Sequence, residues 1–433
     1  MKGERFDAHD FLSAAKAKGA GAAVVKKGTP PEPGLPFFEV EDALRALGAL
    51  AAFHRRRFAI PVAAVAGSNG KTTTKEMLAA ILGTRGSALA TEGNLNNEVG
   101  VPLTLFRLAD EHRAAVVELG MSAPGELARL TEIVRPDVGV VTLVAAEHLE
   151  FLKDLDGVAE AEGELYRGLL PGSVAIVNAD DARCVAQAER VASGVRKVFF
   201  GKSPLADVRL VGVTPLGIEG MKICLEGEEW EGDAGAPRSI GGLNLQRRTV
   251  NVRLGFVGEH NAMNAAAAAA VALSLSYSFE EIASGLSAAR PYAHRSRVVA
   301  GAGGITILDD CYNASPASME AALSTLKTLA AASGRGVAVL GDMLELGEAE
   351  EDAHRELGRS ARGRVDVAAF FGPRSSLTFK EFSSSSSSSS SSHFTEIDPL
   401  LAWLRPRLAP GDVVLVKGSR GMKLERVVDA LLV

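Results

Sequence analysis

Residues 60–82 confine the fold more than any other stretch of the chain. An apolar run from Ile60 to Ala66 enters the turn Gly67-Ser68-Asn69-Gly70, and Lys71-Thr72-Thr73 opens a helix that runs to Leu82. A buried strand that passes through glycines into a helix is half of a βαβ unit, and such units build parallel sheets covered on both faces. The same turn aims backbone N–H groups at one point, in the manner of a phosphate cradle. Lys71 adds a positive charge, and a threonine hydroxyl at Thr72 or Thr73 adds a ligand for magnesium. The turn is shorter than the G-x-x-x-x-G-K-[ST] loop, whose first glycine would fall at Val65. A plain glycine turn before a surface helix is therefore the alternative reading.

The strand–helix rhythm continues downstream. Strands are expected at Val62–Ala66, Ala114–Leu119, Val138–Val144 and Val174–Val177, with helices at Thr72–Leu82, Pro124–Val134 and Val158–Leu169. Residues 206–257 break the pattern with short antiparallel strands and glycine turns, before a helix at Asn261–Ser276. A second α/β region has expected strands Ile305–Leu308, Gly336–Leu340, Val367–Phe371 and Asp412–Val416. Its helices are Ser315–Leu329, Ala349–Ala361 and Pro399–Arg405, the last with Pro399 at its first position. Ser383–Ser392 is uninterrupted serine with no apolar face to bury, so it reads as a flexible surface loop. The expected organisation is an α/β chain of three parts. These are a short N-terminal α/β domain at 1–58 that looks truncated, a central P-loop-type parallel-sheet ATPase domain at 59–297, and a C-terminal Rossmann-like domain at 298–433.

Bulk properties narrow the function classes. The chain has 433 residues, 47% of them hydrophobic and 5% aromatic, and a formal net charge of −6, which gives no global field for nucleic acid or anionic membranes. Three well-separated cysteines, Cys184, Cys224 and Cys311, show no metal spacing and point to a reducing compartment. No apolar run suits a membrane span and the first residues lack a signal-peptide core, so a cytoplasmic location is expected.

Polar residues collect where strands end, which is where open α/β sheets bind ligands. Glu118 closes one strand, as a magnesium ligand or as an acid ahead of the next helix. His148 follows another strand end and is a candidate metal ligand, with Glu147 and Glu150 as competitors. Glu162, early on the next helix, reads on its own as a solvated acid. Asn94 and Asn97, in a segment dense in Gly and Asn, either hold substrate oxygens or make a turn. Asn261 is placed to cap its helix, and Asn264 one turn on has a donor and an acceptor for a purine edge. In the second region three strands end in polar loops. These carry Asp310, Tyr312 and Asn313, then the segment Gly341–Gly347, and finally Lys417 to Arg420; His294-Arg295 flanks the first.

Gly67-Ser-Asn-Gly-Lys-Thr-Thr73, Glu118, His148 and His260-Asn261-x-x-Asn264 together resemble the Mur ligase family of ATP-dependent amide-forming ligases. Gly93-Asn-Leu-Asn-Asn-Glu-Val-Gly100, Asp309-Asp-x-Tyr-Asn313, Gly341-Asp-Met-Leu-Glu-Leu-Gly347 and Lys417-Gly-Ser-Arg-Gly421 are similar to the branch that adds D-Ala-D-Ala. The resemblance implies that ATP phosphorylates the terminal carboxylate of UDP-MurNAc-tripeptide and that the amine of D-Ala-D-Ala attacks the acyl phosphate. It implies a nucleotide site at Gly67, Ser68, Asn69, Gly70, Lys71, Thr72 and Thr73, with Asn264, Arg295 and Asp310 toward adenine, phosphate and ribose. Of two magnesium ions, Thr72 and Glu118 serve the first and His148 the second. Asn94, Asn97, Tyr312, Asn313, Lys417 and Arg420 line the other substrates, and a monomer is expected.

Three departures from the family pattern follow from the same resemblance. The family usually has a carbamylated lysine where this chain has Glu162, so Glu162 either replaces that anion or marks a weakened enzyme. The first residues resemble the middle of the family's N-terminal domain, which leaves the grip on uridine diphosphate incomplete or the sequence starting late. Ser315 and Glu259 stand where the family has asparagine and arginine. Other readings are a third-residue-adding or folylpolyglutamate synthetase-like ligase, or a catalytically silent nucleotide-binding homologue.

Overall fold

The computed structural model describes residues 6–230, 245–384 and 390–433. Three sheets follow one another along the chain. The first is a parallel pair, β1 (Ala23–Lys26) with β2 (Phe37–Val40), next to the helix Ala43–Arg55.

The second sheet has nine strands. They are β3 (Val62–Ala66), β4 (Ala88–Ala90), β5 (Ala114–Glu118), β6 (Val138–Val141), β7 (Val174–Asn178), β8 (Arg196–Gly201), β9 (Val208–Pro215), β10 (Met221–Trp230) and β11 (Leu245–Leu254). Their order is β11-β10-β9-β8-β7-β6-β3-β5-β4, parallel from β4 to β9 and antiparallel beyond. The strand alternation of side chains explains why β3 is buried throughout. Ala63 and Val65 face one core with the helices Lys71–Leu82 and Glu259–Ser274, while Val62, Ala64 and Ala66 face another with the helix Glu126–Val134. The helix Glu259–Ser274 carries six alanines in a row, Ala265 to Ala270, all fully buried. The chain crosses from one side of β3 to the other between β5 and β6, and ligand crevices form at such crossings.

The third sheet comprises β12 (Arg297–Ala300), β13 (Thr306–Asp309), β14 (Gly336–Gly341), β15 (Val367–Phe371), β16 (Ser391–Phe394) and β17 (Val413–Lys417). Its order is β12-β13-β17-β14-β15-β16, with only β12 antiparallel to its neighbour. Alternation works again: Ala338 and Leu340 of β14 enter one core, Val337 and Val339 the other.

Several elements depart from expectation for local reasons. The expected helix over 158–169 is two, Leu155–Glu162 and Glu164–Arg167, divided at Gly163, where a Cβ would lie 2.3 Å from Gln187 Oε1. Pro399 is the third residue of the helix Ile397–Leu404 rather than the first, still within the turn that needs no N–H partner. The serine tract is structured at both ends: Ser383 closes the helix Ser375–Ser383, and Ser391 and Ser392 pair with Ala368 and Ala369 in β16. Backbone pairing holds the serines of this edge strand, and Phe394 at its end anchors it against the core beside Trp403. Residues 385–389 of the tract lie outside the described residues.

Candidate active site

Strand β3 delivers its turn into the crevice between β5 and β6. Gly67 has φ +118, and a Cβ there would lie 2.2 Å from Thr142 Oγ1 just past β6. Gly70 has φ +86 and begins the helix Lys71–Leu82; a Cβ on it would lie 2.3 Å from Asn264 Oδ1. Both positions need glycine, since the left-handed backbone and the close neighbour each exclude a side chain. The turn is braced against the end of β6. Ser68 N–H donates to the Leu143 carbonyl (2.9 Å), and Ser68 Oγ accepts from Ala145 N–H (2.8 Å). Thr142 Oγ1 donates to the Asn69 carbonyl (2.5 Å).

Lys71 Nζ donates to the Gly67 carbonyl (2.5 Å) and lies 3.7 Å from Glu147 Oε2. Burial presses its pKa down, but the carboxylates of Glu147, Glu162 and Glu118 outweigh burial and hold it above the ordinary lysine value. Glu162 is 2% exposed, and burial, reinforced by Glu147 and opposed by Lys71, pushes its carboxyl well above the usual range. Each of the three acids keeps one buried oxygen without a hydrogen-bond partner among the described residues: Glu118 Oε2, Glu147 Oε1 and Glu162 Oε2. Unpaired buried acceptors carry a desolvation penalty that a cation relieves. One lysine cannot satisfy all three, so the donor set fits hard divalent cations, with the buried Thr72 hydroxyl at the first helical turn.

The third sheet presents its strand ends to the same cleft. Asp310, after β13, accepts from Ser296 N–H (2.9 Å) and from Lys417 Nζ (2.7 Å), and Lys417 also donates to the Asn313 carbonyl (2.9 Å). The Arg295 guanidinium stacks over Tyr312, 4.0 Å from the ring centroid, and Arg420 lies 5.7 Å away. Two contacts tie the sheets together. His148 Nδ1 lies 2.7 Å from Glu345 Oε2, and Ser315 Oγ donates to Asn69 Oδ1 (3.3 Å). Both His148 (φ 49) and Glu345 (φ 64) adopt left-handed backbone, a strain typical of functional loops. The cleft between these groups encloses about 810 Å³.

Residues 65–272 match the Mur ligase middle domain, and residues 294–420 match the Mur ligase, glutamate ligase domain. The UDP-N-acetylmuramoyl-tripeptide--D-alanyl-D-alanine ligase of Escherichia coli is 37% identical over 100% of this chain and 89% of its own length. The chain belongs to the Mur ligase family. The ligase of the same name from Bacillus subtilis is 33% identical over the same shares of both chains. Among solved structures, MurF from Acinetobacter baumannii superposes with a TM-score of 0.86 at 34% identity, over 100% of this chain and 89% of that one. The MurF ligase of Thermotoga maritima in complex with ADP does so with a TM-score of 0.84 at 28% identity, over 100% of this chain and 92% of that one.

In this Mur ligase, Ser68 to Thr73, Glu118, His148, Asn264, Arg295, Asp310, Tyr312, Asn313, Asn94, Asn97, Lys417 and Arg420 all border the one cleft. Gly67 and Glu162 do not line it; both are buried. Some side chains are engaged differently from expectation. Asn97 Oδ1 accepts from Val99 N–H (3.2 Å) and Gly100 N–H (2.9 Å), so its acceptor is committed to the turn that leads into the helix Gly100–Leu105. Asn261 does not cap its helix, which starts at Glu259; its Nδ2 reaches back to the Val257 carbonyl (2.8 Å). Asn264 Nδ2 donates to Asn261 Oδ1 (3.0 Å), so its donor is committed to its own helix. Glu162 is not the solvated acid its sequence position suggests. Glu150, a competitor of His148, is exposed and outside the cleft.

Asn96 and Glu345 stand inside the quoted segments Gly93–Gly100 and Gly341–Gly347, where the sequence alone assigns them no role of their own. Asn96 Nδ2 donates to Glu118 Oε1 (2.8 Å) and so orients that carboxylate. No pattern in a single sequence separates it from Asn94 and Asn97. Glu345 stood inside a quoted loop, but only the fold brings it to His148.

Proposed function

We propose that this Mur ligase joins D-alanyl-D-alanine to the terminal carboxylate of UDP-MurNAc-tripeptide, with ATP converted to ADP and phosphate, in the cytoplasm and as a monomer. The observation that carries this is the single cleft that sets the glycine turn with Lys71 and the carboxylates of Glu118 and Glu147 against the polar strand ends of the third sheet. The named relatives support it, because they cover the whole chain at 37% and 33% identity.

In the proposed reaction a carboxylate oxygen of the tripeptide attacks the γ-phosphorus. The bond from that phosphorus to the bridging oxygen breaks and ADP leaves. The amine of D-alanyl-D-alanine then attacks the acyl carbon, loses a proton, and phosphate departs from the tetrahedral intermediate. Two anions must approach each other in the first step, so positive charge in the cleft lowers the barrier. Lys71 stands at the glycine turn, and the first N–H groups of the helix Lys71–Leu82 would meet the phosphates there. Thr72 and Glu118, with Asn96 behind Glu118, would hold one magnesium ion, and His148 a second. Magnesium supplies charge neutralisation between phosphate and carboxylate there. Glu162 would stand where a carbamylated lysine stands in other members; its raised pKa favours the neutral acid, and Lys71 together with the bound cations would draw it into the charged form that matches the carbamate. Arg295, Tyr312 and Asp310 would receive the nucleoside side. Asn94, Asn313, Lys417 and Arg420 would border the two peptide substrates. We assign residues 1–58, 59–297 and 298–433 to the nucleotide-sugar, ATP and incoming-substrate parts.

ADP release measured with both substrates, with each alone, and with neither tests the reading. Release that needs both supports it. ATP binding without turnover would replace it by the silent-homologue reading.

A further inference from the structure

Beside the cleft, at the end of β13, three side chains of different chemistry meet. His294 Nδ1 lies 2.9 Å from Asp309 Oδ2, Cys311 Sγ lies 3.1 Å from Asp309 Oδ1, and Cys311 Sγ lies 3.5 Å from His294 Nδ1. It is the one group of potential metal ligands of this kind among the described residues. The backbone builds it in two ways. Asp309 and Cys311 are two residues apart on extended chain and share a face. His294, in the segment that leads into β12, holds φ 63, a conformation that favours glycine, and carries a bulky ring all the same.

We infer that His294, Asp309 and Cys311 form a binding site for a soft divalent transition ion of the zinc class, separate from the magnesium sites of the cleft. A tetrahedral ion with bonds of about 2.0 to 2.3 Å to nitrogen, oxygen and sulfur sets its ligand atoms roughly 3.3 to 3.6 Å apart. The observed triangle needs only a few tenths of an ångström of adjustment. The mixed sulfur, nitrogen and oxygen set selects zinc-class ions over magnesium or calcium.

The surroundings are anionic. Burial, then Asp309, Glu425 and Asp310, hold the Cys311 thiol far above its ordinary value. A thiol so placed is a poor nucleophile, and its proton is one that a bound cation displaces. Glu425 pairs with Arg420 through Oε1 (3.5 Å), and its buried Oε2 has no hydrogen-bond partner among the described residues. Access is through His294, whose side chain is 30% exposed against 4% for Asp309. Binding releases the thiol proton to solvent. Because the His294 carbonyl also accepts from Tyr312 N–H (3.1 Å), an ion here fixes the link between the second and third sheets next to Arg295 and Tyr312.

Cobalt(II) titration of chelator-treated full-length protein tests this, since a thiolate ligand gives a sulfur-to-cobalt charge-transfer band that magnesium-type oxygen sites cannot give. One equivalent is expected to develop the band and to release the thiol proton. Cys311→Ser should abolish the band, and Cys224→Ser should leave it. His294→Gly suits the left-handed backbone, should fold normally, and should weaken cobalt binding by at least about tenfold. Absence of the band at stoichiometric cobalt, or a band that survives Cys311→Ser, would overturn the inference.

Discussion

Lys71 is the counter-ion of the buried Glu118 and Glu162 and the half-buried Glu147, and its loss would leave these carboxylates without the cation that opposes their repulsion of the phosphates. Lys71→Ala should reduce kcat by about 10²- to 10³-fold, measured as ADP release at saturating substrates. Glu162 tests the charge argument from the other side. Glu162→Gln keeps the shape and removes the charge, so turnover should fall at least about tenfold while the fold persists. Glu162→Lys should recover activity only when bicarbonate is supplied. Unchanged turnover in Glu162→Gln would remove this residue from the site. At this scale the sequence was partly legible. Lys71, Glu118 and His148 announce themselves by following strands, whereas Asn96 and Glu345 matter through partners 22 residues and a whole sheet away.

At the scale of elements, the turn from β3 into the helix Lys71–Leu82 depends on glycines that no other residue replaces. Gly70→Ala must accept φ +86 and a Cβ 2.3 Å from Asn264 Oδ1. The backbone alone costs about 1–2 kcal/mol, so both the melting temperature and the affinity for ATP should fall, read by thermal unfolding and by nucleotide titration. Central elements were legible because buried parallel strands are short, continuous and apolar; Val62–Ala66 and Val367–Phe371 match residue for residue. Peripheral ones were not. The edge strands β4, with three residues, and β16, which is serine-rich, each bring one apolar anchor, Leu89 and Phe394, too few for a pattern; β8 lies inside its sheet but begins Arg196-Lys197, which hides the buried Phe200.

For the whole molecule, His260 couples acidity to the junction of the two large sheets. It is half-buried, and loss of water around the ring lowers its pKa below the ordinary histidine value; Asp310 opposes this and Lys417 adds to it. The unfolded chain therefore takes up a proton near pH 6.5 that the folded chain refuses. This contribution to stability is complete above that pH and is lost as pH falls from 6.5 toward the lowered folded pKa. Melting temperature followed from about pH 8 to 5 should decline over that window, and His260→Gln should flatten the decline.

The run Ala265 to Ala270 has one more consequence, for heredity rather than chemistry. A helix buried on every side has no lenient face, so the usual three-to-four-residue rhythm of tolerance should vanish there. Enlarging any of the six to valine or leucine should cost about 1–3 kcal/mol, and a saturation library selected for folding should return one unbroken band of rejected variants. The stretch that looks least informative in composition would then be among the least free to drift.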